Sequence, residues 1–198
     1  MKYIKIKNNL IHHTAIIDWK NLVIGKNNKI GPYAVIGAPA QHSKKKSNGK
    51  IFIGNNNTIN QFVSIHRPTN LRKKTFIGNN NFIMNSSTID HDCYLENNIT
   101  LSSNVILGGN IYIMDGVNIG MKTLVHQNQL IGSYCMIGMG SIISRKIKLL
   151  PGFVYYGKPA KKIKYNTIGL KRNKISVKIL KKEIKRFYEI QKKRIDEK

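Results

Sequence analysis

The sequence has little of what defines several common protein classes. Its 198 residues include two cysteines, one tryptophan and nine acidic residues. Cys93 and Cys135 lie far apart and fit no metal-ligand spacing, so we expect two buried thiols rather than a disulfide or a metal site. No apolar stretch approaches the about 18 residues that span a membrane. The N-terminal stretch 1–9 alternates lysine with apolar residues and lacks the apolar core of a signal peptide, which predicts a cytoplasmic protein.

Basic residues far outnumber the acidic ones, and the formal net charge is +25. Such an excess is found in proteins that bind nucleic acid, anionic membranes or acidic proteins. Lys, Asn and Ile are abundant throughout, which a composition bias would also produce. The sequence contains no recognised nucleic-acid-binding module and no interleaving of aromatic with basic residues, so we expect no nucleic-acid partner.

A six-residue repeat is the dominant feature of the chain. From Ile77 to Leu149 every sixth residue is aliphatic, and at a hydrophobic content of 41% chance would give that run with a probability on the order of 10⁻⁵. Helices repeat near 3.6 residues and strands at 2, so neither explains this spacing. A triangular prism does, because each face is a short strand, each corner is a turn, and one coil takes about 18 residues. Upstream, Ile24, Ile30 and Ile36 keep the spacing in a different phase.

The repeat and its interruptions divide the chain into two parts. Residues 1–152 are predicted to form the prism, with polar, basic loops at about 38–50 and 66–75. Residues 153–198 are predicted to form a C-terminal turn and an α-helical extension, since the residues beyond Lys174 carry an apolar stripe at helical spacing. The stripe consists of Val177, Leu180, Ile184, Phe187 and Ile195.

Histidine is the simplest candidate for catalysis, because the chain has no Gly-x-Ser-x-Gly elbow, no phosphate-binding P-loop and no metal-ligand spacing. His91 and His126 lie within the repeat, 35 residues or about two coils apart, which places them near the same edge. His12 and His13 precede the coil and are expected to be exposed. A structural hydrogen-bonding role for the two coil histidines remains open at this point.

Three short motifs resemble, in order and spacing, the core of the UDP-N-acetylglucosamine O-acyltransferases, which are hexapeptide-repeat enzymes of lipid A synthesis. They are Thr88–Cys93, Gly108–Asn110 and Val125–Gln127. Two further matches, Ile65–Arg67 and Ile168–Arg172, extend the resemblance over nearly the whole chain. The resemblance implies that the coil is left-handed. The expected fold class is therefore all-β, a left-handed parallel β-helix with a short C-terminal α-helical region.

The resemblance also implies roles for individual residues. His91 would be the general base, Asp92 would orient or polarise it, and the backbone N–H of Gly109 would face the thioester oxyanion. Three residues would contact the acyl chain or the pantetheine arm: Met121, Met139 and Asn166. Eight residues would bind the nucleotide sugar or its phosphates: Gln41, His42, Lys44, Thr88, Asn110, His126, Gln127 and Arg172.

The chain departs from the family at several of these positions. Thr88 and Asn110 replace substrate-binding histidines, while His42 and Ile168 replace acidic residues, and the N-terminal prism is shorter by about one to two coils. These changes predict a different nucleotide sugar as acceptor.

The predicted function is the transfer of an acyl group from an acyl carrier protein or coenzyme A thioester onto a hydroxyl or amino group of a nucleotide-linked hexosamine. A short acyl group is expected, because methionine fills two positions where long-chain enzymes carry glycine. No permanently bound cofactor and no metal are expected, and a homotrimer is expected because the family places its site between neighbouring prisms. Two alternatives remain open, a lipid A enzyme that uses a long 3-hydroxyacyl chain and a β-helix scaffold without catalytic activity.

Overall fold

The fold is a left-handed parallel β-helix, seen in a computed structural model that describes residues 2–42 and 47–196. Successive strands pass to successive sheets, so that three sheets form the faces of a triangular prism. Sheet A contains β1 (Tyr3–Ile6), β2 (Asn9–His12), β5 (Lys29–Ile30), β8 (Thr58–Ile59), β11 (Phe82–Ile83), β14 (Thr100–Leu101), β17 (Asn118–Ile119), β20 (Met136–Ile137), β22 (Phe153–Gly157) and β23 (Ala160–Tyr165). Sheet B contains β3 (Ile16–Ile17), β6 (Val35–Ala38), β9 (Ser64–His66), β12 (Thr88–Ile89), β15 (Ile106–Leu107), β18 (Leu124–Val125) and β21 (Ile142–Ile143). Sheet C contains β4 (Leu22–Ile24), β7 (Lys50–Ile53), β10 (Lys74–Ile77), β13 (Tyr94–Leu95), β16 (Tyr112–Ile113) and β19 (Leu130–Ile131).

The core is an axial stack of the aliphatic residues that define the repeat. Each of them pairs in register with its equivalent in an adjacent coil, as Ile89 does with Leu107 and Leu107 with Val125. The earlier set in a different phase joins the same stacks, because Ile24, Ile30 and Ile36 pair with Ile53, Ile59 and Ile65. The extra residues between β6 and β7 account for the change in phase of the six-residue repeat. Full burial of such a side chain contributes about 1.5–3 kcal/mol relative to exposure.

Both breaks in the repeat leave the prism at the corner between sheets B and C. Residues 39–49 lie between β6 and β7, and residues 67–73 lie between β9 and β10. His91 occupies the same corner one coil further along. The geometry of the prism therefore places the described residues of both loops, 39–42, 47–49 and 67–73, beside the candidate base.

The C-terminal part begins inside sheet A. Strand β22 pairs in parallel with β20, and Tyr155 takes the axial position below Ile137 with no exposed surface. The sheet therefore continues past residue 152, where the sequence predicted a turn. The prediction was wrong here because the axial residue of this strand is a tyrosine and not an aliphatic residue of the repeat. The predicted turn lies at residues 157–160 and joins β22 to the antiparallel β23.

Two helices close the chain, α1 (Thr167–Arg172) and α2 (Val177–Asp196). Phe187 is buried against Met114 and Leu130, so α2 packs on sheet C. Arg186 forms ion pairs with Glu96 and Asp115 of the coil and fixes the helix in place. The predicted stripe is shorter than expected, because its two ends, Val177 and Ile195, are exposed. No helix within the described residues is both long and apolar enough to cross a membrane.

Buried asparagines stack along the corner between sheets C and A. The Nδ2 of Asn57 donates hydrogen bonds to Asn28 Oδ1 and Gly78 O, both at 2.9 Å, and its Oδ1 accepts one from Asn81 N at 2.8 Å. The preceding residue, Asn56, has φ +58°. Asparagine suits both needs of this corner, since its amide satisfies buried backbone groups and its backbone tolerates the left-handed region.

Replacement of Asn57 by alanine is expected to destabilise the coil strongly. It leaves Gly78 O and Asn81 N without these partners inside the protein, and each buried unsatisfied group costs about 1–3 kcal/mol. We expect a loss of about 3 kcal/mol, seen as a fall in Tm of roughly 6–12 °C. The matched control is Asn55→Ala, since Asn55 belongs to an exposed asparagine pair with Asn79 and its loss should cost less than about 1 kcal/mol. Equal destabilisation by the two variants would contradict this account.

Candidate active site

The corner between sheets B and C brings the predicted catalytic residues together. His91, Gly109 and Gln127 follow one another at intervals of 18 residues and therefore occupy equivalent positions in three successive coils. Backbone hydrogen bonds of 2.8 Å from Asn110 N to His91 O and 2.9 Å from Asn128 N to Gly109 O hold these coils in register. Neighbouring strands lie about 4.8 Å apart, so the three residues are stacked within reach of one small molecule.

His91 and Asp92 form a buried hydrogen-bonded pair. The Nδ1 of His91 lies 2.9 Å from Oδ2 of Asp92, whose carboxylate also accepts hydrogen bonds from the backbone N–H and the hydroxyl of Thr69. Burial raises the pKa of Asp92, but the hydrogen bonds from His91 and Thr69 and the charge of Lys73 outweigh it and hold that pKa at about 2. An ionised Asp92 keeps the proton on Nδ1, which leaves the Nε2 lone pair of His91 free to act as a base.

Gly109 forms the floor beneath the His91 ring. A Cβ atom built on Gly109 would lie 2.4 Å from Cε1 and 2.6 Å from Nε2 of His91, so the ring packs directly on the main chain. The neighbouring N–H groups of Gly108 and Asn110 bind Val125 O and His91 O. Among the residues that the structure describes, none accepts a hydrogen bond from the N–H of Gly109. A basic nitrogen and an unused backbone donor therefore adjoin each other, as acyl transfer requires.

A second histidine–carboxylate pair supports the corner, and the sequence did not single it out. Asp90 Oδ1 accepts a hydrogen bond from the backbone N–H of His91 at 2.8 Å and lies 3.1 Å from Nδ1 of His66. The Nε2 of His66 lies 2.9 Å from the hydroxyl of Ser64, and His66 is buried. His66 therefore belongs to strand β9 rather than to the loop that was predicted to begin there.

The predicted sugar-binding residues lie around the same corner, so far as they are described. Gln41 and His42 are exposed, and the His42 ring meets the His91 ring edge to face, with centroids 5.9 Å apart. Lys44 lies outside the described residues. Thr88 faces outward from β12, one residue before the axial Ile89.

The next two coils add three more predicted contacts to this corner. His126 and Gln127 are exposed, and Nδ1 of His126 donates to Gln127 O at 2.9 Å. Asn110 donates from its amide to Asn128 Oδ1 at 2.7 Å. Of the other histidines, His12 was expected to be exposed, but it is buried in β2 beside Thr14.

Four residues that were predicted to bind the substrates lie away from His91 of the same chain. Met121 and Met139 occupy the corner between sheets A and B and are 46% and 62% exposed. Arg172 and Asn166 line a cleft of about 420 Å³ against sheet A. Asn166 caps α1 by accepting from Gly169 N at 3.1 Å, while its Nδ2 donates to Tyr134 O. These residues and His91 share a site only if a second copy of the chain supplies one of the two faces.

The outer surface of sheet B between the two corners is apolar. Ile106, Leu124 and Ile142 point outward in successive coils and remain 40–47% exposed. This face leads from the His91 corner to the corner that carries Met121 and Met139. Within residues 2–42 and 47–196, no group of three or more His, Cys, Asp or Glu side chains is placed to hold a metal ion.

No protein-family model matches the chain. Individual sequences and structures do, and those described here are acyltransferases of one kind. An acyl-[acyl-carrier-protein]–UDP-N-acetylglucosamine O-acyltransferase from Syntrophobacter fumaroxidans is 36% identical over 181 residues, which cover 90% of this chain and 68% of the relative. The enzyme of that name from Synechocystis is 36% identical over 154 residues, 77% of this chain and 55% of the relative. The chain thus spans between about half and two thirds of the length of these relatives.

Solved structures agree with the sequence comparison. The UDP-N-acetylglucosamine acyltransferase of Bacteroides fragilis superposes with a TM-score of 0.81 and 34% identity, covering 88% of this chain and 68% of that one. The acyltransferase structure from Acinetobacter baumannii gives a TM-score of 0.72 at 28% identity, covering 87% and 78%.

Proposed function

The chain belongs to the UDP-N-acetylglucosamine O-acyltransferase family, and from this membership we propose that it transfers an acyl group from a phosphopantetheine thioester onto a nucleotide-linked hexosamine. The observation that carries the proposal is the His91–Asp92 pair packed on the main chain of Gly109, whose N–H has no acceptor among the residues that the structure describes. The relatives' names specify an acyl-carrier-protein donor. Acyl carrier protein is acidic, so the net charge of +25 also favours it as the donor. Coenzyme A thioesters remain the alternative donor.

The proposed reaction gives a separate role to His91, Gly109 and Asp92. His91 Nε2 removes the proton of the acceptor hydroxyl or amine as its oxygen or nitrogen attacks the thioester carbonyl carbon. The oxyanion of the tetrahedral intermediate accepts a hydrogen bond from Gly109 N–H. Collapse of the intermediate breaks the carbon–sulfur bond, and the proton held by His91 passes to the departing thiolate. Asp92 remains ionised throughout and stabilises the imidazolium that forms between the two steps.

The complete site would lie between two copies of the chain. Arg172 and Asn166 lie against sheet A, Met121 and Met139 lie at the corner between sheets A and B, and His91 lies at the opposite edge of sheet B. A cyclic trimer would place the sheet A face of one copy against the His91 corner of the next, which closes a head-to-tail interface. In that arrangement Arg172 would contact the phosphates of the nucleotide and the exposed face of sheet B would be covered.

The proposed function is tested by release of free thiol. Purified protein is mixed with one of several UDP-, dTDP- or GDP-linked hexosamines and with acetyl-coenzyme A or hydroxyacyl carrier protein. Release that depends on the sugar supports the proposal, and the best sugar identifies the acceptor. UDP-N-acetylglucosamine with a long 3-hydroxyacyl carrier protein as the best pair would identify the lipid A reaction itself. No sugar-dependent release with any pair would leave the scaffold alternative.

Acyl length is proposed to be short, and Met139→Gly is expected to extend it. Met139 is exposed at its corner, and a chain that passes along sheet B would meet its side chain. Each methylene excluded from burial forfeits about 0.8 kcal/mol, or roughly a fourfold change in kcat/KM. We therefore expect kcat/KM to fall with donor length in the wild type and to fall less in Met139→Gly, while the acetyl rate stays within about twofold.

The control is Met139→Leu, which keeps most of the volume and should keep the length preference. A wild-type kcat/KM that climbs up to a fourteen-carbon chain would contradict the proposed short acyl group.

A further inference from the structure

A cationic groove lies on the outer side of sheet C, beside the catalytic corner. It has a volume of about 500 Å³ and runs between the loop 67–73 and the C-terminal half of α2. One carboxylate, that of Asp92, faces it. Five basic side chains line it, namely Arg72, Lys73, Lys74, Lys193 and Arg194.

The five charges are brought together by the tertiary fold. Three come from consecutive residues before and within β10, and two come from α2, more than 100 residues later in the chain. Lys73 Nζ lies 3.6 Å from Asp92 Oδ2, and Arg194 donates a hydrogen bond to Asn110 O at 2.6 Å. Arg72 and Lys193 form no salt bridge with any residue in 2–42 or 47–196. A concave surface with this imbalance of charge concentrates anions.

The aromatic residues at the floor of the groove favour binding of an anion over stacking of a nucleobase. Phe76, Tyr94 and Tyr112 stack along the coil, with ring centroids 4.4 and 4.7 Å apart, so their faces cover one another. Lys74 lies beside the stack, with its Nζ 5.2 Å from the Phe76 centroid and 5.5 Å from the Tyr94 centroid. The groove is left with ring edges, which carry the positive part of the aromatic quadrupole.

We propose that this groove is a second binding site, for a diphosphate or triphosphate group. Several linked phosphates present enough acceptor oxygens to reach cations on both walls at once, and the guanidinium of Arg72 suits a phosphate in a bidentate arrangement. The site is separate from the cleft with Arg172, which lies against sheet A. A nucleoside polyphosphate, coenzyme A and inorganic pyrophosphate share the chemistry that the groove recognises.

Binding of pyrophosphate and tripolyphosphate to the full chain, measured by calorimetry at constant ionic strength, tests the site. The groove variant is Arg72→Ser with Lys193→Ser. The control is Lys161→Ser with Lys164→Ser, which removes two exposed lysines from β23 and gives the same net charge. We expect the groove variant to bind about tenfold or more weakly, and the control to change by less than about twofold. Thermal unfolding of both variants is compared with the wild type, because all four side chains are exposed and their loss should leave Tm within a few degrees.

Two outcomes would overturn the proposal. Equal weakening in both variants would mean general charge attraction. No pyrophosphate binding, together with capture of an acidic carrier protein that only the groove variant loses, would assign the groove to a protein partner instead. Once binding is established, titration of UDP, ADP and coenzyme A against pyrophosphate distinguishes the sources, since the natural one binds most tightly. The measurement needs no acyl transfer, so its result is independent of the proposed function.

Discussion

Replacement of His91 by alanine is expected to lower kcat by about 10²–10⁴-fold while the coil stays folded. The His91 side chain lies at a corner of the prism and is not part of the axial stack of aliphatic residues, so its loss leaves that stack complete. Asp92 keeps its two hydrogen bonds from Thr69 and its contact with Lys73. The predicted loss is therefore chemical rather than structural, because the acceptor loses the group that removes its proton.

The measurement is the rate of thiol release at saturating donor and acceptor, with Tm recorded for each protein. The control is His13→Ala, an exposed histidine near the N-terminus that lies far along the coil from His91 and should leave kcat unchanged. Since the pKa of Asp92 is about 2, its carboxylate stays charged at neutral pH and keeps its hydrogen bond with His91 there. A His91→Ala variant that kept more than half of the wild-type kcat would remove His91 from the mechanism.

The sequence predicted the coil well because the prism is a one-dimensional fold. Each aliphatic residue of the repeat contacts mainly its equivalents in adjacent coils, so a fixed spacing determines sheet, register and core together. The pairing of Ile89 with Leu107 and Val125 follows directly from that spacing. The stacking of His91, Gly109 and Gln127 follows from it as well, since their numbers differ by 18.

Interactions that depend on loop length or on a single substitution could not be predicted in this way. His66 and Asp90 lie 24 residues apart, because the loop 67–73 adds six residues to that coil, and a fixed interval of 18 does not pair them. Tyr155 is aromatic and broke the aliphatic pattern, so β22, the last parallel strand of sheet A, was assigned to the C-terminal turn. Val177 and Ile195 fit the apolar spacing of α2 and were therefore predicted to pack. Only the centre of the helix is covered by sheet C, so these two residues at its ends are exposed.

Replacement of Gly109 by alanine is the second change with a large expected effect. The new Cβ would lie 2.4 Å from Cε1 and 2.6 Å from Nε2 of His91, closer than non-bonded atoms approach. The His91 ring must then swing away from the acceptor, although the N–H of residue 109 is retained. A misplacement of about 1 Å in a reacting group costs on the order of 10² in rate. We therefore expect kcat to fall by about 10²-fold with little change in Tm.

The double variant His91→Ala/Gly109→Ala separates this explanation from the others. Without the imidazole the alanine methyl meets no ring, so the double variant should be no slower than His91→Ala alone, and the two effects should be strongly non-additive. If alanine instead blocks the oxyanion position or disturbs the corner, it will slow the His91→Ala protein by the same factor as the wild type. The residual rate of thiol release, measured over long incubations in all four proteins of the cycle, distinguishes the two cases. Additive losses would mean that Gly109 is required for a reason other than the space that the His91 ring occupies.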